Sequence, residues 1–177
     1  MKSVIFTEAS STTAEPTEDQ EIRDYFKGGF LSVASLESDL AEFGETELHI
    51  LSEEYGHLVG DEKSSDITKS QTSGVKSFKK AIQSAAGEAD VIVILLTKSI
   101  FESVVEESWQ TICAEARRGS IWCFGASKSA LSSINLDILE QKDCDILTYE
   151  RVGVARISSE TREDLLEKLE LNAPPQE

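Results

Sequence analysis

Residues 90–97, DVIVILLT, restrict most what this chain can become. Six consecutive aliphatic residues, most of them β-branched, fit a strand with no wet face. The run is far short of the ~20 apolar residues that a membrane helix needs. A strand apolar on both sides has to be covered on both sides, and the cheapest covering is a helix before and a helix after it. The flanking sequence supplies both. Val75, Phe78, Ala81, Ile82 and Ala85 recur at helical spacing and stop at Gly87, and Phe101, Val104, Val105, Ile112 and Ala116 do the same beyond the strand.

The alternation extends in both directions. Val4-Ile5-Phe6 reads as a first strand. Phe30, Val33, Leu36, Leu40 and Phe43 mark the buried face of a helix that Gly44 ends, and Leu48 to Leu51 form a second strand. Ser120 to Phe124 reads as a fourth strand, a shorter helical region spans 129–139, and Asp145 to Tyr149 is a fifth strand. Val152 to Ile157 either extends it past Gly153 or folds back as a sixth, and a last helix covers 161–171. Repeated strand–helix units predict an α/β chain: a three-layer α/β/α sandwich on a mostly parallel five-stranded sheet, Rossmann- or flavodoxin-like, with strand order 2-1-3-4-5. Crossovers are expected to be right-handed. A single domain over 1–171 is expected, since single cores of ~100–200 residues are typical. A polar, flexible loop at 60–74 and a disordered, proline-containing tail at 172–177 complete the organisation.

Charge narrows the partners. The chain has 33 acidic and 17 basic residues, a formal net charge of −16. With so few cations spread over the surface, extended non-specific nucleic-acid binding is not expected. Such an excess of carboxylates suits a salt-rich cytoplasm, where screening shortens the Debye length to about 3 Å at 1 M salt, so a halophile-type acidic surface is one reading of it. The N-terminal MKSVIF reads as a strand rather than a leader peptide, and the expected location is cytoplasmic, with no membrane contact. Three widely spaced cysteines, without a Cys-x-x-Cys pair and with only two histidines, point to buried free thiols rather than a zinc site. No metal and no cofactor is expected.

In a parallel sheet, ligands sit beyond the carboxyl ends of the strands. That rule selects Thr7 to Ser11, Ser52 to His57, Thr97-Lys98, Gly125 to Ser129, and Glu150-Arg151. Within them Ser10, Ser11, Ser52, Tyr55, Gly56, Ser127 and Lys128 are the candidate ligand-binding residues, joined by Arg23 and Tyr25. The GASKS stretch at 125–129 is the most phosphate-like, though it lacks both the Walker A and the GxGxxG spacing, and Ser127 reads equally well as a helix cap. Glu53, Glu54 and His57 are acid–base groups by residue type, or solvated surface charges. No GxSxG elbow is present, and no serine or cysteine announces itself as a nucleophile.

Two stretches, RDYFKGGF at 23–30 and ILSEEYGHL at 50–58, resemble segments of a loosely defined group of small prokaryotic α/β domains. The group includes the peroxide-stress YaaA proteins and a domain of some archaeal tRNA-modifying enzymes. The resemblance covers residues 3–60 and falls on Arg23, Asp24, Tyr25, Ser52, Tyr55 and Gly56. It departs from the group at Thr7 to Ser11, where a cysteine and a lysine are usual, and at Glu54, where the group has lysine. It implies a domain that binds or acts on a nucleotide, a nucleobase or a modified base, so a nucleotide or other small anionic ligand is the expected partner, with Tyr55 stacking on a base. The alternative is a non-catalytic structural or regulatory module whose acidic surface serves solubility or a protein partner.

Overall fold

A computed structural model describes residues 1–10, 12–14, 19–68, 74–150 and 157–172. The strands are β1 (Lys2–Glu8), β2 (Glu45–Ser52), β3 (Gly56–Val59), β4 (Val91–Leu95), β5 (Ile121–Ala126) and β6 (Asp145–Glu150). The helices are α1 (Ile22–Tyr25), α2 (Leu31–Leu40), α3 (Val75–Glu88), α4 (Lys98–Val104), α5 (Trp109–Glu115), α6 (Lys128–Ser132), α7 (Asp137–Glu140) and α8 (Ser159–Asn172). One sheet runs β3-β2-β1-β4-β5-β6, parallel throughout except for the β2–β3 pair. Its five parallel strands, taken in chain order, follow 2-1-3-4-5 as expected.

The run at 90–97 is the central strand β4, with all five residues buried. Side chains of β1 and β4 alternate between two cores. Val4, Phe6, Ile92 and Ile94 meet Phe78 and Ile82 of α3, Phe101 of α4 and Ile112 of α5. Ile5, Val91 and Val93 meet Val33, Leu36 and Leu40 of α2 with Leu165 and Leu169 of α8. The second core is closed by Arg162, whose guanidinium donates to Ser35 Oγ at 2.8 Å and pairs with Asp39 across α8 and α2. Among the described residues no helix is long and apolar enough to cross a membrane.

One strand is added and two helical expectations are redrawn. The expected extension or extra strand at 152–157 falls where 152–156 lie outside the described residues; the strand that the sequence did not predict is β3, antiparallel at the sheet edge. A three-residue turn makes it, with Ser52 Oγ accepting the Tyr55 N–H at 3.1 Å and Gly56 at φ +75° reversing the chain. The third helix is two, α4 and α5, divided by a 3-10 turn at Glu106–Ser108. Adjacent Val104 and Val105 are both fully buried, and one straight amphipathic helix cannot turn both inward along with Trp109. The region 129–139 likewise splits into α6 and α7. Within the polar 60–74 loop, Ser64–Asp66 forms a 3-10 turn whose Ser65 N–H donates to Asp19 at 3.1 Å.

All three cysteines are free and buried. Burial pushes the thiols of Cys113 and Cys123 up to about 12, which keeps them as unreactive thiols. Alkylation with iodoacetamide should therefore leave these two unmodified in the native protein and modify them fully in guanidinium, as read by intact mass. Rapid native labelling of either would contradict their placement.

Candidate functional site

The parallel order places a crevice between the ends of β1 and β4, where the chain leaves the sheet to opposite sides. A cleft of about 520 Å³ lies there, lined by Glu8, Leu51, Ser52, Glu53, Val75, Thr97, Ser99 and Ile100. Each comes from a strand end or the first turn of the next helix. Glu8 ends β1, Ser52 ends β2 and Glu53 follows it. Val75 opens α3, while Thr97, Ser99 and Ile100 open α4. The apolar wall is Leu51, Val75 and Ile100, all turned toward the first core.

Glu8 sets the electrostatics. Its carboxylate accepts the Thr97 N–H at 2.6 Å and the Thr97 hydroxyl at 2.9 Å. The amino end of α4, where a phosphate would otherwise be welcome, is thus already engaged by a carboxylate of the chain itself. Among the described residues no lysine or arginine lines the cleft, and Glu53 adds a second carboxyl group. Ser52 spends its acceptor on Tyr55 N–H and keeps its hydroxyl proton to donate.

The candidates selected from sequence are not all brought together. Ser52 lines the cleft; Ser10, Arg23, Tyr25, Tyr55, Gly56, Ser127 and Lys128 do not. The Ser10 hydroxyl lies 2.6 Å from the Lys27 carbonyl and 2.8 Å from that of Thr12, tying the end of β1 to the loop before α2. Ser11 lies outside the described residues, as does Arg151. Tyr25 and Tyr55 pack against the second core, on the sheet face opposite the cleft's apolar wall. Burial raises the Tyr55 phenol above its ordinary value, and a hydrogen bond with Tyr25 adds to the shift. Gly56 serves the turn into β3.

Ser127 caps α6, accepting the Ala130 N–H at 3.2 Å, and Lys128 is exposed. Gly125 is needed for packing: a Cβ there would stand 2.7 Å from Leu95 Cδ2 and 3.1 Å from the Tyr149 ring. Arg23 lines a different hollow, of about 310 Å³, with Asp24, Ala34, Glu37, Ser38, Ala41 and Thr46, and its Nη1 is 2.5 Å from Glu37 Oε1.

His57 turns away from the rim. Its Nε2 is 2.8 Å from His49 Nδ1 and its Nδ1 is 2.6 Å from Ser77 Oγ, while His49 Nε2 is 3.3 Å from Glu47 Oε2. Burial, with His49 beside it, lowers the His57 imidazole to about 4. Sequence reading had selected Glu8 and Thr97 only as members of rim stretches, and had no reason to join Ser77 to either histidine. Among the described residues no group of three or more His, Cys, Asp or Glu side chains is disposed to hold a metal ion.

Comparison with protein-family models, with curated proteins and with solved structures finds no match. What the cleft does has to be argued from its own chemistry.

Proposed function

We propose that this chain is a three-layer, flavodoxin-like domain that binds a nucleoside or free nucleobase in the crevice between β1 and β4. One observation carries the reading: a cleft of about 520 Å³ at the strand ends that joins an aliphatic wall to two carboxylates and three hydroxyls, with no cation among the described residues. That volume lies within the range of small-molecule sites. A flat heterocycle suits Leu51, Val75 and Ile100. A ribose diol suits carboxylate acceptors at strand ends, as it does in other doubly wound sheets. Phosphorylated ligands are disfavoured, because Glu8 already occupies the α4 amino end and both carboxylates would repel them. This refines the anionic-ligand expectation to a neutral one. The resemblance of residues 3–60 to YaaA-like domains supports a base-handling role, with Ser52 as the shared residue that reaches the cleft.

Calorimetry and thermal melting in molar KCl, with nucleosides, nucleobases and nucleoside monophosphates compared, test the reading. A ligand at 100 times its Kd should stabilise the fold by about 2.7 kcal/mol. The matching 5′-monophosphate should bind at least about tenfold more weakly, a difference of ~1.4 kcal/mol. Glu8→Gln keeps an acceptor for the Thr97 N–H but removes the negative charge, so it should narrow that gap between nucleoside and monophosphate. Tight binding of nucleotides over nucleosides, or no binding of either class, would discard the proposal.

A further inference from the structure

We propose that Ser77 is a nucleophile for acyl transfer from esters, activated by His57 and by a relay that continues through His49 to Glu47. Two hydrogen bonds and a close charge contact connect the four groups: Ser77 Oγ is 2.6 Å from His57 Nδ1 and His57 Nε2 is 2.8 Å from His49 Nδ1, while Glu47 Oε2 stands 3.3 Å from His49 Nε2. A nucleophile in contact with a base, with the base oriented by a third group, is the arrangement that activates a hydroxyl. Catalytic triads are recognised by this geometry rather than by sequence order.

The direction of the chain is set by its far end. The Glu47 carboxylate, 3.3 Å from His49 Nε2, favours the tautomer that carries its proton on that nitrogen. His49 Nδ1 is then the acceptor for His57 Nε2–H, which leaves His57 Nδ1 as a lone pair aimed at Ser77. Reversing the tautomers would set the bare Nε2 of His49 against a carboxylate. Burial, with His49 beside it, brings His57 to about 4, so the ring is neutral near pH 7 and a weaker base than a free histidine, taking the serine proton only as the acyl bond forms. Both rings are held in place: His49 stacks on Phe6 at 5.0 Å and 14°, and Phe78 meets His57 edge-on at 5.5 Å and 84°.

The backbone also holds Ser77 at this spot. Gly74, before α3, has φ +72°, and a Cβ there would lie 2.4 Å from the His57 backbone nitrogen. Glycine therefore lets the start of α3 close directly onto β3, which brings Ser77 to His57. Glu47 and Ser77, the two ends of the chain, are open to solvent while His49 between them is nearly enclosed. An ester can therefore reach the hydroxyl without entering the core. Ser77 lies in the first turn of α3, where the helix dipole is positive, a setting that favours a developing oxyanion.

In the first step, Ser77 Oγ bonds to the acyl carbon and its proton passes to His57 Nδ1. The ester C–O bond breaks, and the leaving alkoxide takes that proton to depart as an alcohol. Water repeats the sequence on the acyl-serine, releasing a carboxylic acid and restoring the hydroxyl. No oxidant, metal or second cofactor is needed for the balance.

A fluorophosphonate probe follows the same path, forming Oγ–P and releasing fluoride. Peptide mapping of the full chain after labelling should find the adduct on Ser77, absent in Ser77→Ala and slowed by about 10²–10⁴-fold in His57→Gln. Ser77→Cys provides a reading that does not depend on the histidine variant folding. Beside His57 and at the amino end of α3, its thiol should be alkylated by iodoacetamide at about pH 7.5 at least roughly tenfold faster than the exposed mid-helix Ser84→Cys. Hydrolysis of p-nitrophenyl acetate should fall to the buffer rate in Ser77→Ala, whose nucleoside binding is unaltered because Ser77 is not a cleft residue. Adducts spread evenly over exposed serines, no adduct at Ser77, or equal alkylation rates at positions 77 and 84 would each overturn the assignment.

Discussion

Replacing Arg23 by alanine should cost about 3–5 kcal/mol of stability at pH 7, with most of that loss vanishing on acidification. The reason is Glu37, only 3% exposed on α2, whose carboxylate takes Arg23 Nη1 at 2.5 Å and has Thr46 Oγ1 at 3.5 Å. Removing one partner of a buried ion pair leaves the other charge without compensation, and that is the costly change. Burial raises the Glu37 carboxyl above its ordinary value, with Arg23 as the strongest opposing influence. In the native chain the folded state therefore holds the Glu37 proton more tightly than the unfolded one. The folding penalty from this group is largest above its folded pKa and fades as pH falls through it. Without Arg23 the folded pKa climbs further, so the deficit of the variant should begin to close at a higher pH. Urea titrations of both proteins at about pH 7 and pH 5 give the comparison, since the many other carboxylates of the chain affect the two alike. Adding Glu37→Gln to Arg23→Ala should recover most of the loss at pH 7. A variant within about 1 kcal/mol of the parent would mean that Glu37 finds water without Arg23.

That pair also shows how far the sequence could be read. Arg23 belongs to a stretch that resembles a family motif and had been expected to meet a ligand, yet its guanidinium is engaged with a carboxylate fourteen residues away. Nothing local distinguishes a cation that binds a partner from one that holds a helix, because the difference lies in what the fold brings opposite. Where a signal is local and periodic, the reading was close. The aliphatic run is β4, and the 75–85 pattern is α3. β3 was not seen because four residues carry too little alternation to register, and its evidence is its pairing with β2.

The rim rule picked Glu8, Ser52, Glu53 and Thr97 correctly as neighbours of one cleft, since β1, β2 and β4 are adjacent. It also gathered Ser127 and Lys128, which follow β5, two strands from β1. At ~4.8 Å per strand that is about 10 Å along the sheet. A rim is longer than a pocket, and strand order decides which part of it a residue joins. The Ser77 relay was hidden for a related reason: its members come from β2, β3 and the first turn of α3, and only the turn of the β2–β3 hairpin and the approach of Gly74 bring them into line.

Trp122→Ala should be the most destabilising single truncation in the sheet, at about 3–5 kcal/mol, the usual range for deleting a buried large aromatic. Trp122 is fully buried on β5 and is the largest of the enclosed side chains. Its ring stacks on Phe124 at 5.9 Å and 17°, and Phe124 in turn meets Trp109 at 5.9 Å and 66°. Removal would open a hole between strand and helices where β5, flanked by β4 and β6, has little freedom to collapse. The indole N–H adds a polar component, donating to Ser120 Oγ at 2.9 Å, while that hydroxyl donates onward to the Arg117 carbonyl at 2.7 Å. Trp122→Phe separates the two contributions. It keeps most of the stacking area and loses the N–H donor, worth about 1 kcal/mol as a hydrogen bond, so its cost should be well under half that of alanine. Guanidinium unfolding followed by the fluorescence of the remaining Trp109 measures both. If alanine and phenylalanine cost the same, the indole N–H rather than the packed ring would be what Trp122 contributes. A loss below about 1 kcal/mol for alanine would place the ring outside the core. Because β5 does not line the cleft, a Trp122→Phe protein that stays folded should retain nucleoside binding, which separates the stability of the sheet from the chemistry at its carboxyl edge.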